Sequence, residues 1–257
     1  MEGCRFIDLS LPIKDGGDFT APAKLRYIDH SSRALFVVEK NGITLEDIQD
    51  RGNALEEFTY LNTHTGTHFD APWHYTPLVD GKKAMTIDEV PLDWCFGDGV
   101  KLDLRIKRAG EDISVRDLER AVSSIGYRIK PMDIVLLWTG ASSYYGQEGC
   151  ELKNPGVTRE GTNWLADQGV KVVGIDSFCW DRPPMMMLKE IKEGIKGKYM
   201  QGHRAAGERG MCILEWLTNI DLLPPFGFQI SAFPVKIEKA SASWVRVVAH
   251  IKNEPKG

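Results

Sequence analysis

Two segments of the chain show a helical pattern next to an almost wholly apolar run. Residues 112–126 contain Ser114 as an expected N-cap, Asp117 three positions later, and Gly126 after the last helical position. That spacing, with apolar residues along one stripe, predicts an amphipathic helix. The run DIVLLWTG at 133–140 follows it and predicts a buried strand.

The same features recur further along the chain. Thr158 is an expected N-cap, the helical pattern runs to about Gln168, and Gly169 ends it. The next run, VKVVGI at 170–175, predicts a second buried strand. Together these segments predict a strand–helix–strand unit, which is typical of an α/β fold.

The two ends of the chain are rich in strand-like patterns. RFIDLSL at 5–11, FQISAFPVKI at 228–237 and ASWVRVVAHI at 242–251 are the clearest of them. We therefore predict one α/β domain with a mixed sheet over residues 1–257. The methionine-rich stretch at 183–202 has the pattern of an insertion that is helical in part.

Composition narrows the possible functions. The chain has 42% hydrophobic residues and a formal net charge of −4, so nothing indicates a nucleic-acid partner. No run approaches the roughly 20 apolar residues of a membrane span, and the N-terminus lacks the apolar core of a signal peptide, so we expect a cytoplasmic protein. The chain has five widely spaced cysteines and no CxxC pair: Cys4, Cys95, Cys150, Cys179 and Cys212. We expect them to be small buried residues, and a nucleophilic cysteine is the less favoured alternative.

Candidate chemistry is concentrated in THTGTHFDAPWH at 63–74, which holds three of the six histidines. His64 and His68 are four residues apart, but Gly66 between them argues against a helix. In a straight strand, His64 and Asp70 would lie roughly 20 Å apart, too far to share one ion. The backbone must therefore bend for a shared ion, and Gly66 is the residue that permits the bend.

Two imidazoles and a carboxylate are a ligand set that suits zinc, manganese or iron. Three protein ligands, His64, His68 and Asp70, leave coordination positions open for water. Coordination lowers the pKa of such a water to about 7, which makes hydroxide available at neutral pH. His74 is then free to transfer a proton and need not be a ligand.

Acidic residues elsewhere are weaker candidates. Glu215 interrupts the apolar run MCILEWL, where a carboxylate is costly to bury unless it is paired or binds metal; an exposed edge is the equal alternative. Asp176 and Asp181 follow a predicted buried strand, whose carboxyl end often faces a site, but capping or turn roles fit them equally well.

The motif HTGTHFDAPWH fits the pattern HxGTHxDxPxH and resembles the cyclase-like metal-dependent hydrolases, which include bacterial kynurenine formamidases and isatin hydrolases. Similarity extends to IDLSLPI at 7–13, to much of 131–177 and to 233–249. The resemblance implies a swivelling β/β/α fold assembled as a homodimer or homotetramer.

The same resemblance implies roles for individual residues. His64, His68 and Asp70 would bind the first divalent ion, and His74 would be the catalytic acid and base. A second ion would be held by Asp70 with His203 and Glu215, which have the twelve-residue separation seen in kynurenine formamidases. Some relatives use a single manganese, so one or two Zn²⁺ or Mn²⁺ ions are expected.

The chain is longer than the compact formamidases, with extra length near 29–58 and 180–200 that we expect to cover or line the pocket. We predict hydrolysis of a C–N bond in a small cyclic or N-formyl aryl amide by metal-bound hydroxide. An esterase or lactonase at the same site and a non-catalytic metal-binding protein are the alternatives. Three aromatic residues are candidates for a cavity wall that would suit a planar or aromatic substrate: Trp73, Phe178 and Trp180. Ordinary packing in the core or at an interface fits each of them at least as well.

Overall fold

A nine-stranded sheet forms the centre of the molecule in the computed structural model, which describes residues 3–17 and 21–252. The strands of the described residues are β1 Cys4–Asp8, β2 Lys24–Ile28, β3 Leu55–Tyr60, β4 His68–Asp70, β5 Leu78–Val79, β6 Lys82–Lys83, β7 Phe96–Asp103, β8 Asp112–Ile113, β9 Ile134–Trp138, β10 Gly156–Val157, β11 Val172–Ile175, β12 Cys212–Glu215, β13 Phe228–Ser231, β14 Ala242–Trp244 and β15 Val248–Lys252. The α-helices are α1 His30–Asn41, α2 Val115–Ser124, α3 Arg159–Asp167, α4 Pro184–Lys192 and α5 Gln201–Glu208.

The order of strands in the large sheet is β1-β15-β13-β7-β9-β11-β12-β4-β14. Its middle, from β7 through β9 and β11 to β12, is parallel. The strands on both flanks pair antiparallel, β4 with β12 on one side and β13 with β7 on the other. The predicted mixed sheet is therefore confirmed.

The predicted strand–helix–strand unit is also confirmed. Ser114 caps α2 in a capping box with Asp117, and the hydroxyl of Thr158 accepts a hydrogen bond from the backbone N–H of Gly161 at the start of α3. Strands β9 and β11 are parallel neighbours, as expected when a helix connects them. Because side chains alternate along a strand, β9 contributes to two hydrophobic clusters, one on each face of the sheet.

The terminal strands close one edge of the sheet, since β1 pairs antiparallel with β15. FQISAFPVKI at 228–237 is shorter as a strand than its pattern predicts. Only Phe228–Ser231 is strand, and Pro234 beyond it forms an isolated bridge to Val245. The strand ends where its neighbours begin, since Ser231 pairs with Phe96 at the start of β7 and with Val248 at the start of β15.

The two stretches of predicted extra length form separate peripheral structures. Residues 29–58 contain α1, a short 3₁₀ helix at Glu46–Ile48 and most of β3, which pairs with β2. Residues 180–200 contain α4, so the expected helix lies there. That these stretches are insertions in a single domain stays a prediction. No helix among residues 3–17 and 21–252 is long and apolar enough to cross a membrane.

Candidate metal centre

The histidine-rich segment bends where its sequence predicts. Gly66 has φ of +62°, in the left-handed region that glycine adopts without steric cost. The chain then enters β4 and a 3₁₀ turn at Pro72–His74. The hydroxyl of Thr67 accepts a hydrogen bond from the N–H of Leu11 and donates one to the carbonyl of Trp216, which fixes the bend against two other segments.

The bend brings three imidazoles around one carboxylate. Nδ1 of His64 lies 3.0 Å from Oδ1 of Asp70, and Nε2 of His68 lies 3.5 Å from the same oxygen. Nε2 of His74 lies 4.0 Å from the other oxygen, Oδ2. The structure thus places these four predicted site residues together, at distances that one or more shared cations would fit.

Several buried polar atoms of this histidine–aspartate group have unmet hydrogen-bonding capacity. Asp70 has no exposed surface, and although Nδ1 of His64 lies 3.0 Å from Oδ1, within the described part of the chain neither carboxylate oxygen accepts a well-oriented hydrogen bond. Nε2 of His68 is likewise buried without one, while its Nδ1 lies 2.8 Å from the carbonyl of Gly66. That contact fixes the proton on Nδ1 and leaves a lone pair on Nε2. Buried polar atoms without partners are costly, and a divalent cation would satisfy all three.

The second candidate group begins at Glu215, the last residue of β12, which pairs directly opposite His68 of β4. Residues opposite each other in an antiparallel pair project to the same face. One carboxylate oxygen of Glu215 lies 3.6 Å from Nε2 of His68, and the other lies 3.3 Å from Nε2 of His203. Glu215 therefore connects the histidine-rich segment to the later residues.

His203 lies in the first turn of α5 and is held by Asp181, from the loop after β11. The Asp181 carboxylate accepts hydrogen bonds from the backbone N–H groups of Gly202 and His203, and one oxygen lies 2.6 Å from Nδ1 of His203. The sequence left a site role and a capping or turn role equally possible for Asp176 and Asp181. Asp181 contacts the site. Asp176 instead accepts hydrogen bonds from Thr139 and Gly140 and connects the ends of β9 and β11.

The pKa values reflect this crowding. Burial alone would raise the pKa of Asp70, but the surrounding imidazoles His74, His68 and His64 outweigh it and lower that pKa strongly. Burial lowers the pKa of His74 to about 4, although Asp70 opposes the shift. Burial also acts to lower the pKa of His203, but Asp181 and Glu215 outweigh it and raise that pKa to about 10.

Three sets of donor atoms lie close enough to hold a metal ion, with the atoms of each set within 4.8 Å of one another. Glu215 and Asp70 each belong to two of these sets. The third set contains Cys179, which the sequence pattern did not identify because it lies far from the motif and outside any CxxC pair. The sets are His64, Asp70 and His74; His68, Asp70 and Glu215; and Cys179, His203 and Glu215.

All of these side chains except the fully buried Asp70 line a cavity of about 270 Å³. Pro184 and Met200 also line it, so the stretch at 180–200 reaches the pocket, whereas no described residue of 29–58 does. Phe178 is on the cavity wall, but Trp180 is wholly buried among the core residues next to the helices, with its indole N–H donated to Thr162. Of the two alternatives for Trp180, core packing is therefore the one that the structure shows.

Comparison with known proteins gives consistent similarities. The Cyclase family model matches residues 7–182. A kynurenine formamidase from Erythrobacter litoralis is 30% identical over 188 residues, which cover 73% of each chain. Isatin hydrolase A from Ralstonia solanacearum superposes with a TM-score of 0.76 at 23% identity, covering 97% of this chain and 92% of that one. A structure described as a predicted metal-dependent hydrolase from Bacillus stearothermophilus gives a TM-score of 0.64 at 20% identity, with 96% and 98% covered. The predicted cyclase-like fold is thus confirmed over almost the whole chain.

Proposed function

This chain belongs to the cyclase family, and we propose that it is a metal-dependent hydrolase that cleaves a C–N bond in a small cyclic or N-formyl aryl amide. The observation that carries the proposal is the buried Asp70 carboxylate, which accepts no well-oriented hydrogen bond among the described residues while three histidines surround it at the wall of a cavity. The names of the relatives, a kynurenine formamidase and an isatin hydrolase, support the substrate class.

We assign the first divalent ion, zinc or manganese, to His64, His68 and Asp70. A second ion fits beside His203 and Glu215. In the family pattern, Asp70 binds both ions. Glu215 also lies between the two ion positions, since it contacts both His68 and His203. When bound, the ions supply Lewis-acid chemistry, which acidifies water and polarises a carbonyl group.

His74 is the residue we assign to proton transfer. Its ring is partly exposed at the cavity and lies against that of His64, tilted by 43° with centroids 4.3 Å apart. Because burial lowers the pKa of His74 to about 4, its imidazole is neutral at pH 7 and has a lone pair to accept a proton from the attacking water. The same ring then donates that proton to the leaving nitrogen.

The test is His74→Ala, measured on a panel of matched N-formyl anilines, lactams and lactones. We expect a folded protein with unchanged metal content and turnover reduced by about 10²–10⁴-fold. The matched control is His250→Ala, because His250 lies on β15 against Phe6 and Ser231, away from the cavity. Full turnover in the His74 variant would reject its role, and turnover of the lactones alone would replace the amidase with an esterase or lactonase.

We also propose that the protein is a homodimer or homotetramer. The paired strands β2 and β3 present large apolar side chains to solvent, with Tyr27 64% exposed and Phe58 53% exposed. Several large apolar side chains exposed on one pair of strands favour a protein–protein contact there. Sedimentation equilibrium of the wild type should give a mass of two or four chains, and a single-chain mass at micromolar concentration would contradict the proposal.

A further inference from the structure

Cys179 lies in the same donor set as the two later site residues. Its sulfur, a ring nitrogen of His203 and a carboxylate oxygen of Glu215 are all within 4.8 Å of one another. Cys179 is buried and lines the same cavity as the histidines. Cys95, Cys150 and Cys212 are also buried, yet among the described residues none of them belongs to such a set.

The loop around Cys179 is fixed to the other members of the set. The N–H of Trp180, the next residue, donates to Oε1 of Glu215 at 2.8 Å. Asp181, one residue further, holds the ring of His203. The carbonyl of Cys179 itself accepts hydrogen bonds from Ser177 and from the side-chain amide of Asn154. Trp180 and Asp181 are thereby held against Glu215 and His203, and the backbone of Cys179 is fixed beside them.

The distance between the nitrogen and the oxygen of this set suits a tetrahedral ion. Metal–ligand bonds of about 2.0–2.3 Å place tetrahedral ligand atoms roughly 3.3–3.8 Å apart. Nε2 of His203 and Oε1 of Glu215 are already 3.3 Å apart. The contact of Nδ1 of His203 with Asp181 orients the ring so that Nε2 faces Glu215, as in metal sites where a carboxylate orients the histidine ligand.

We propose that Cys179 is a thiolate ligand, with His203 and Glu215, of the second divalent ion, and that this sulfur–nitrogen–oxygen set selects zinc over manganese at that position. The inference rests on the metal centre proposed above and adds a ligand to it. On binding, the S–H bond of Cys179 breaks, its proton passes to solvent, and the sulfur lone pair forms the bond to the ion. Thiolate is a soft ligand that favours zinc, whereas manganese prefers oxygen ligands.

The first experiment is cobalt substitution in the whole protein. Chelator-stripped wild type reloaded with Co²⁺ should show a thiolate-to-cobalt charge-transfer band in the near ultraviolet, in addition to the visible bands of bound cobalt. The band should disappear in Cys179→Ser and persist in Cys95→Ser, because Cys95 is a buried core cysteine that belongs to no donor set among the described residues. We also expect Cys179→Ser to weaken zinc binding at one position by at least about 10-fold and to leave manganese binding unchanged.

Zinc X-ray absorption of the wild type needs no variant and should show a sulfur neighbour at about 2.3 Å. Visible cobalt bands without the charge-transfer band, or a zinc spectrum with nitrogen and oxygen neighbours only, would overturn the thiolate ligand while leaving the metal centre intact. A band that survives in Cys179→Ser would also overturn it. Failure of the wild type to bind cobalt or zinc at all would overturn both the ligand and the proposed hydrolase centre.

Discussion

The two sides of the cavity are built in different ways. On one side, His64, His68, Asp70 and His74 come from a single segment of eleven residues, shaped by one glycine. On the other side, the side chains come from a loop, from the first turn of α5 and from the end of β12. The first side depends on local backbone geometry, and the second depends on tertiary packing.

Their hydrogen bonding differs as well. Among the described residues, Asp70 has two buried oxygens that accept no well-oriented hydrogen bond. On the other side, Glu215 accepts a hydrogen bond from Trp180, and His203 is paired with Asp181. The first side therefore has unmet polar groups that a cation satisfies at once, whereas the second is already largely satisfied without one. We expect an ion on the first side to be the more tightly held of the two.

The largest effect should come from removing the central carboxylate of each side in turn. Asp70→Asn keeps the side-chain volume but removes the charge that faces three histidines, so we expect loss of the first ion and, because Asp70 is also the shared ligand in the family pattern, of most of the second. Since metal activation supplies several kcal/mol, turnover should fall by about 10³-fold or more. Glu215→Gln should remove only the second ion and leave close to one ion per chain. Elemental analysis of the purified variants, together with turnover, distinguishes the two.

Asp133→Asn is the matched control for both variants. Asp133 is a buried carboxylate that accepts hydrogen bonds from Tyr127 and from the backbone of Lys130, and it belongs to no donor set among the described residues. Its metal content should equal that of the wild type. Two ions retained in Asp70→Asn would remove the distinction between the two sides.

A smaller effect is expected from Asp181→Asn, which acts through His203. An amide cannot accept hydrogen bonds at both of the positions where the carboxylate does, so the orientation of the His203 ring is no longer fixed. Affinity for the second ion should fall by roughly 10–100-fold, with the first ion unaffected. Competition with a chromophoric chelator measures the two affinities separately. An equal loss at both positions would show that the sides are coupled rather than independent.

The contrast between the two sides of the cavity also explains which site residues could be predicted from the sequence. The pattern around Gly66 predicted a bend and a convergence of imidazoles, because every constraint lay within a few residues. The contacts of Cys179 and Asp181 depend on how the loop after β11 meets α5, and no local pattern encodes that meeting. The direction of the Trp180 side chain could not be predicted locally either, since its neighbours in sequence, Cys179 and Asp181, face the site while its own ring packs in the core.

The capped helices α2 and α3 and the apolar runs of β9 and β11 could be predicted for the same local reason. The strand at Phe228–Ser231 was overextended in the prediction because the apolar pattern continues past Ser231, where pairing with both neighbouring strands stops. The pairing of Glu215 with His68 is set by the register between β12 and β4, which are far apart in the sequence.

The smallest effect tests whether the first side really depends on its local bend. Gly66→Ala places a Cβ in a left-handed conformation, although the space is open, with the hydroxyl of Tyr145 the nearest group at 3.8 Å. The conformational cost should be about 1–2 kcal/mol in the free energy of unfolding. If the residue relaxes out of this conformation, His64 moves away from Asp70, so binding of the first ion should weaken as well.

Gly126→Ala separates the two consequences of that substitution. Gly126 has φ of +63°, almost the same as Gly66, and lies just beyond α2 with no described atom within 4 Å of an added Cβ. Urea unfolding of the metal-free proteins should give similar losses of stability for both variants. Metal titration should show weakened binding in Gly66→Ala alone. Equal metal binding in the two variants would mean that tertiary contacts, such as those of Thr67, hold the histidines in place even without the glycine, and the first side would then be built like the second.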